Sequence, residues 1–133
     1  MRRFGPPPSA DDIEAIARRV LDSLPPPFAA SLRDTVLLVE DFADEAMLRE
    51  MGIDDPFELS GLYEGVPLTE RSVSQSGMLP DAIRLFRRPI LDEWADGDDE
   101  LEQLIAHVLI HEAGHHFGFS DEDMHRLEEG LSE

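Results

Sequence analysis

Apolar residues recur at helical spacing near the start of the chain. From Ile13 to Leu24 they fall three or four positions apart, the spacing that places side chains on one face of an α-helix. Ser9 precedes this run and is a residue type that caps helix N-termini, whereas the proline triplet 25–27 prevents the helix from continuing. The pattern therefore predicts an amphipathic first helix from Ser9 to about Leu24.

Two runs farther along have the composition of β-strands. Residues 35–40 are rich in Val and Leu without alternation, which predicts a strand covered on both faces. Residues 82–87 alternate in polarity well enough to predict a second strand. It leads into a helical turn that Pro89 opens. Between the two strands, residues 41–51 predict a short helix closed by Gly52, although its first four residues fit a loop equally well.

The clearest helical signal lies in the C-terminal third. The acidic turn 96–99 leads into a long and largely apolar run that ends at Phe117, which predicts a mostly buried helix. A last short helix is expected over residues 121–129. By contrast, residues 54–79 carry scattered Gly and Pro, so only short strands or loop are expected there.

The order of these elements predicts a single α+β domain, in which a small mixed sheet packs on the long helix. The chain has 133 residues, enough to bury an adequate core without covalent crosslinks. We expect the domain to occupy residues 9–133 and residues 1–8 to form a flexible leader, because the leader's proline triplet favours an extended conformation. The chain has no cysteine, so disulfides and thiolate metal ligands are excluded.

A strong negative charge narrows the range of partners. Asp and Glu number 30 against 11 Lys and Arg, for a formal net charge of -19. This charge repels phosphate backbones and anionic lipid surfaces, so we expect neither nucleic-acid nor membrane binding. No apolar segment follows the two arginines near the N-terminus, and no later stretch has a membrane-spanning length. We expect a cytoplasmic protein, and no pattern in the sequence indicates its oligomeric state.

The most informative stretch is His111-Glu112-Ala113-Gly114-His115, near the end of the long apolar run. Residues four apart lie on one face of a helix, so the imidazoles of His111 and His115 can reach the same metal ion. Glu112 is offset around the helix, which keeps its carboxylate out of the ligand set but near a water on that ion. An ordinary helix with surface histidines is less compatible with such apolar surroundings, where imidazoles and carboxylates need partners. The pattern predicts two zinc ligands and a general base.

A catalytic zinc ion needs a third protein ligand, with one position left for water. Gly118 can take the left-handed conformation that ends a helix, and Asp121 follows three residues later. The full pattern, His-Glu-x-x-His-x-x-Gly-x-x-Asp, matches the extended metzincin signature with Asp where His is more usual. We expect Asp121 to be the third ligand. His125 remains an alternative third ligand, and Glu122 or His125 would close a structural site as a fourth.

The remaining histidines and the single tyrosine are secondary candidates. His107 lies eight residues before His115, roughly 12 Å along a helix, so it cannot share one ion with both predicted histidine ligands. We expect it in the core or beside the ligands. His116 projects roughly 100° away from His115 and is expected at the rim. Tyr63 is a candidate oxyanion stabiliser, although a solvated loop tyrosine explains it better.

From about Ile13 to Glu129 the sequence resembles the small bacterial zincin-like metallopeptidases described as minimal metalloproteases. The resemblance rests on three stretches, which are residues 111–121, 61–68 and 85–89. It implies a compact zincin-like fold, with zinc on His111, His115 and Asp121 and with Glu112 as the base. The chain has no room for the separate Met-turn subdomain of the larger metzincins.

Two functional hypotheses follow. The first is a zinc-dependent metallopeptidase acting on a peptide or protein substrate, with Glu112 taking a proton from the attacking water. Its substrate would extend an edge strand, for which residues 83–87 are the best candidate. The alternative is a non-hydrolytic zinc-binding module that recognises a protein partner and whose metal is structural.

Overall fold

The structure is a computed structural model. It describes residues 6–24, 29, 32, 35–65, 81–117, 120 and 122–126, the side chains of residues 115–117 excepted. Its main elements, in chain order, are α1 (Ala10–Asp22), β1 (Val36–Glu40), α2 (Glu45–Met51), a 3-10 turn (Pro56–Glu58), β2 (Gly61–Glu64), β3 (Ala82–Phe86), α3 (Arg87–Asp96) and α4 (Leu101–Phe117). Residues 122–126 are also helical. The α+β prediction is confirmed.

Helix α1 forms as its sequence pattern predicts. The Ser9 hydroxyl accepts a hydrogen bond from the backbone N–H of Asp12, and the Asp12 carboxylate accepts one from the N–H of Ser9, which satisfies two backbone donors at the helix start. Its apolar face enters the main core through Ile13, Ala17, Val20 and Leu21. The helix thus covers the sheet on the same side as α4.

The three strands form one mixed sheet in the order β1-β3-β2. The central strand β3 is parallel to β1 and antiparallel to β2. Ile83 and Leu85 on β3 are fully buried in the main core, which α1 and α4 share. Alternate residues of a strand face opposite sides of a sheet, so these two residues define the face on which the helices pack.

Two predictions about the strands are wrong. The strand over residues 35–40 is not covered on both faces, because Leu37 is buried whereas Val36 remains 37% exposed. On the face opposite the main core, helix α2 packs beside Phe86 of β3, whereas β1 lies at the edge of the described sheet. The run 83–87, proposed above as an edge strand for a substrate, contributes β3, which is hydrogen-bonded on both sides. Its backbone groups are already paired, so it cannot accept a further strand.

The connections between strands follow recognisable capping rules. Helix α2 begins after Asp44, whose carboxylate accepts a hydrogen bond from the N–H of Met47, so the loop alternative for residues 41–44 is the correct one. It ends at Gly52, which has the positive φ of 69° that glycine adopts without strain. A small second core of Ala43, Leu59 and Phe86 fills the space beside these connections.

One arginine joins all three strands on the face of the sheet opposite the main core. The Arg84 guanidinium on β3 donates hydrogen bonds to the carboxylates of Glu64 on β2 and Glu40 on β1. The hydrogen bond to Glu64 is the main reason why the pKa of Arg84 lies above its ordinary value. These contacts add side-chain links to the main-chain ladder.

Several sequence predictions fall on residues outside the described parts of the chain. These are residues 1–5 of the leader, residues 66–79 of the weakly patterned segment, and residues 121 and 127–129 of the last helix. At the leader's end, the Pro8 carbonyl accepts a hydrogen bond of 2.7 Å from the Arg87 guanidinium. The division into a leader and one domain stays a prediction. None of the described helices is long and apolar enough to cross a membrane.

Candidate functional site

The candidate site is built on α4. This helix runs without interruption over Leu101–Phe117, so the backbones of His111 and His115 lie one turn apart on one face, as the metal-ligand spacing requires. Its core side is apolar, through Leu104, Ile105, Val108, Leu109, Ile110 and Ala113. The prediction of a mostly buried helix is confirmed. His111 itself is half-buried.

Glu112 is buried within this apolar helix, with 9% of its surface exposed. Removing a carboxylate from water is costly unless other groups compensate for its charge. A buried glutamate directly beside a half-buried histidine therefore indicates a functional site. Of the predicted site residues, these two are the ones whose side chains lie within the described residues.

Strand β2 lies directly against this part of α4. A Cβ atom placed on Gly61 would be 2.7 Å from Val108 Cγ1 and 3.4 Å from Glu112 Cγ, closer to the former than real Cβ atoms approach. The backbone of β2 therefore contacts the turn of α4 that carries the predicted base. Glycine inside a strand commonly indicates such a close approach. The sequence does not show which element approaches the glycine, so this contact was not predicted.

The register of β2 shows which of its backbone groups face away from the sheet. The Phe86 N–H donates to the Ser60 carbonyl at 2.9 Å, and Gly61 lies opposite Leu85. Hydrogen-bonded and non-hydrogen-bonded pairs alternate in an antiparallel ladder. The N–H and C=O groups of Gly61 and Tyr63 consequently point away from β3. Among the described residues, no strand pairs with β2 on that side.

His107 contacts the candidate site from the solvent side. Its ring lies 4.4 Å from that of His111, measured between centroids and tilted by 51°. Ile105 and Leu109, two residues before and after it, are fully buried, so the position of His107 on the helix turns it towards water. The prediction that His107 lies in the core is therefore wrong, whereas the alternative that it lies beside a predicted ligand agrees with the structure.

Tyr63 is a strand residue, which contradicts its prediction as a solvated loop tyrosine. It is half-buried on β2, and its hydroxyl donates a 2.9 Å hydrogen bond to the carboxylate of Asp81, which is 8% exposed. Gly65 leaves space for this pair, because a Cβ there would lie 2.2 Å from Asp81 Oδ1. The two residues stand 18 positions apart, so no local pattern predicts their contact.

Replacing Tyr63 by phenylalanine distinguishes a structural hydroxyl from an oxyanion stabiliser. We expect Tyr63→Phe to lower the free energy of unfolding by about 1 kcal/mol, because the Asp81 carboxylate loses one donor, and to leave peptide turnover unchanged. Urea unfolding and initial rates on one peptide would measure both, with Asp81→Asn and the double variant testing for coupling. A fall in kcat of about 10²-fold or more, at unchanged stability, would instead assign the hydroxyl to the reaction.

The end of α4 is also contacted by the chain that follows it. Met124 is 3% exposed and packs on Gly114, where a Cβ would lie 2.2 Å from the Met124 sulfur. The chain has thus returned to α4 by Met124, between the positions of the two predicted histidine ligands. Asp121 precedes Met124 by three residues in the sequence.

The rest of the predicted ligand set lies outside the described residues, namely the side chain of His115, the turn at Gly118 and Asp121. The described part of the chain contains no group of three or more His, Asp or Glu side chains that could hold a metal. Glu122 and His125, the other ligand candidates, are exposed. The metal ligands therefore stay a prediction.

Together these features indicate a class of protein. The chain is an α+β domain in which the long helix α4 carries a histidine pair at metal-ligand spacing and a buried glutamate, an arrangement that is typical of metal-dependent hydrolases.

A protein-family model described as zincin-like metallopeptidase matches residues 32–131, which is most of the chain. The chain belongs to this family, and the sequence resemblance is confirmed. Family membership implies zinc binding and a metallopeptidase class in general terms. A comparison with curated proteins found no match.

Proposed function

We propose that the protein is a zinc-dependent metallopeptidase in which Glu112 is the general base. The observation that carries this proposal is the burial of Glu112 beside His111, on a helix that continues without a break for one turn to His115. Membership in a zincin-like metallopeptidase family supports the same chemistry. A structural metal site would not need a buried carboxylate next to a ligand at this spacing.

The spacing of the two histidines on α4 supports a zinc site. Neutral imidazoles are preferred zinc ligands, and one turn of continuous helix sets two of them on one face. We propose that His111, His115 and Asp121 hold the ion, and the return of the chain to α4 at Met124 is compatible with a ligand from residue 121. When bound, zinc makes a coordinated water more acidic and polarises a carbonyl group.

The role of Glu112 follows from proton balance. Its carboxylate accepts a proton from the attacking water as the water oxygen bonds to the peptide carbonyl carbon. The carboxyl group then gives this proton to the leaving nitrogen as the C–N bond breaks. Burial shields Glu112 from bulk water, so few solvent dipoles need to reorganise during the transfer. The site therefore needs no other proton carrier for one cycle.

We propose that the substrate binds in an extended conformation along β2, since β3 is fully paired. The outward N–H and C=O groups of Gly61 supply one donor and one acceptor of the kind that an added strand requires. Because a Cβ added to Gly61 would lie 3.4 Å from Glu112 Cγ, a peptide on this edge would pass near the predicted base. Main-chain recognition of this kind is tolerant of sequence, so side-chain preference has to come from other contacts.

The proposed function is tested with a peptide library and controlled metal content. Protein loaded with one equivalent of zinc is expected to cleave library peptides, a chelator to stop cleavage, and added zinc to restore it. Mass spectrometry of the products identifies the cleaved bonds. Zinc retained without any cleavage would instead favour the binding-module alternative, and a crystal structure with four protein ligands around the ion would establish a structural site.

A further inference from the structure

We propose that Gly61 is a positioning residue, whose missing side chain holds the substrate-binding edge and the base Glu112 at their working separation. The proposal rests on the proposed function and concerns the contact between β2 and α4. Gly61 has Val108 Cγ1 and Glu112 Cγ on its helix side, at 2.7 Å and 3.4 Å from where a Cβ would stand. The strand can approach this closely because position 61 has no side chain.

Space, and not backbone conformation, explains the glycine. Gly52 and Gly65 are the described glycines with positive φ, and Gly61 is not among them. Any residue type can therefore adopt the backbone conformation of Gly61. At Gly52, by contrast, φ is 69°, which favours glycine, and an added Cβ would meet nothing within 4 Å. Gly61 is thus required for lack of space, and Gly52 for its backbone conformation.

The neighbours of Gly61 leave little room for relaxation. On the sheet side, the Arg84 carbonyl of β3 would lie 3.3 Å from the added Cβ, and the ladder to β3 limits movement of the strand. On the helix side, Val108 is β-branched and restricted to essentially one rotamer in a helix. An added methyl group therefore has to displace β2 relative to α4, which carries both Val108 and Glu112. This movement changes the distance between a bound peptide and the base.

Four variants separate this role from general packing. Gly61→Ala is expected to keep its zinc content and its fold while kcat falls by about 10²-fold, the order expected for a misplacement near 1 Å, with a much smaller change in KM. Val108→Ala removes the atom nearest to the added methyl group. The double variant Gly61→Ala/Val108→Ala is therefore expected to regain the kcat of Val108→Ala alone. Gly52→Ala, the matched control, is expected to lose stability but not kcat.

Crystal structures of the wild type, Gly61→Ala and the double variant provide a measurement that does not require activity. The distance between the backbone of residue 61 and the Glu112 carboxylate is expected to increase in the single variant and to return to the wild-type value in the double variant. An unchanged distance overturns the proposal, as does wild-type kcat in Gly61→Ala. If zinc-loaded wild type cleaves no peptide, the proposed function fails, whereas an increase in this distance still supports the positioning role.

Discussion

Glu112→Gln is expected to lose peptide hydrolysis while keeping its zinc. Glutamine has nearly the same shape as glutamate but cannot accept the proton of the attacking water, and general base catalysis typically contributes about 10²–10⁴-fold to a rate. Because Glu112 is buried against β2, external buffer bases have little access to replace it. Initial rates on a peptide that the wild type cleaves, together with metal analysis of the same samples, would measure both quantities.

The matched control for this substitution is Glu102→Gln, which removes the same charge from an exposed position on the same helix. Its turnover and zinc content are expected to equal those of the wild type. A Glu112→Gln protein with full zinc content and wild-type turnover would show that another group accepts the proton. The mechanism given above would then be wrong, although the metal site could still be correct.

His111→Ala is expected to abolish zinc binding and all metal-dependent stabilisation. A bound ligand at about 1,000 times its Kd stabilises a fold by about 4.1 kcal/mol, so zinc should raise the melting temperature of the wild type but not of this variant. Loss of one imidazole leaves too few ligands for tight binding at a catalytic centre. Competition with a chromophoric chelator would measure affinity, and thermal melts with and without zinc would measure stabilisation.

His107→Ala provides the comparison within the same helix, since it removes an imidazole whose ring lies 4.4 Å from that of His111. Zinc affinity is expected to survive this change, because His107 is one turn away from the predicted ligand pair. If His107→Ala loses zinc and His115→Ala retains it, then the ion uses the earlier turn of α4. That result would overturn the assignment of the predicted ligand set.

Local patterns predicted the helices well. The apolar spacing and the Ser9 cap define α1, and the long apolar run defines α4, because both signals lie within a few turns of chain. The same holds for Gly52, whose positive φ closes α2. The described part of the candidate site could therefore be predicted as well, because the positions of His111 and Glu112 depend only on the position of α4.

Contacts between distant segments could not be predicted in this way. Strand β3 has a recognisable pattern, but its central position depends on pairing with β1 and β2, and alternation of side chains is the same in central and edge strands. The four-residue strand β2 begins with Gly61, a residue that weakens a strand signal. The Tyr63 hydrogen bond to Asp81 likewise exists only once the strands have paired.

The bridge from Arg84 to Glu40 and Glu64 has a consequence for the proposed binding of a peptide along β2. A strand at the border of a small sheet would ordinarily fluctuate, and a peptide binding there would have to order it at an entropic cost. Side-chain links from the middle strand to both outer strands reduce that motion before any peptide arrives. More of the free energy of the new main-chain hydrogen bonds then remains available for binding, even though the bridge lies on the opposite face of the sheet.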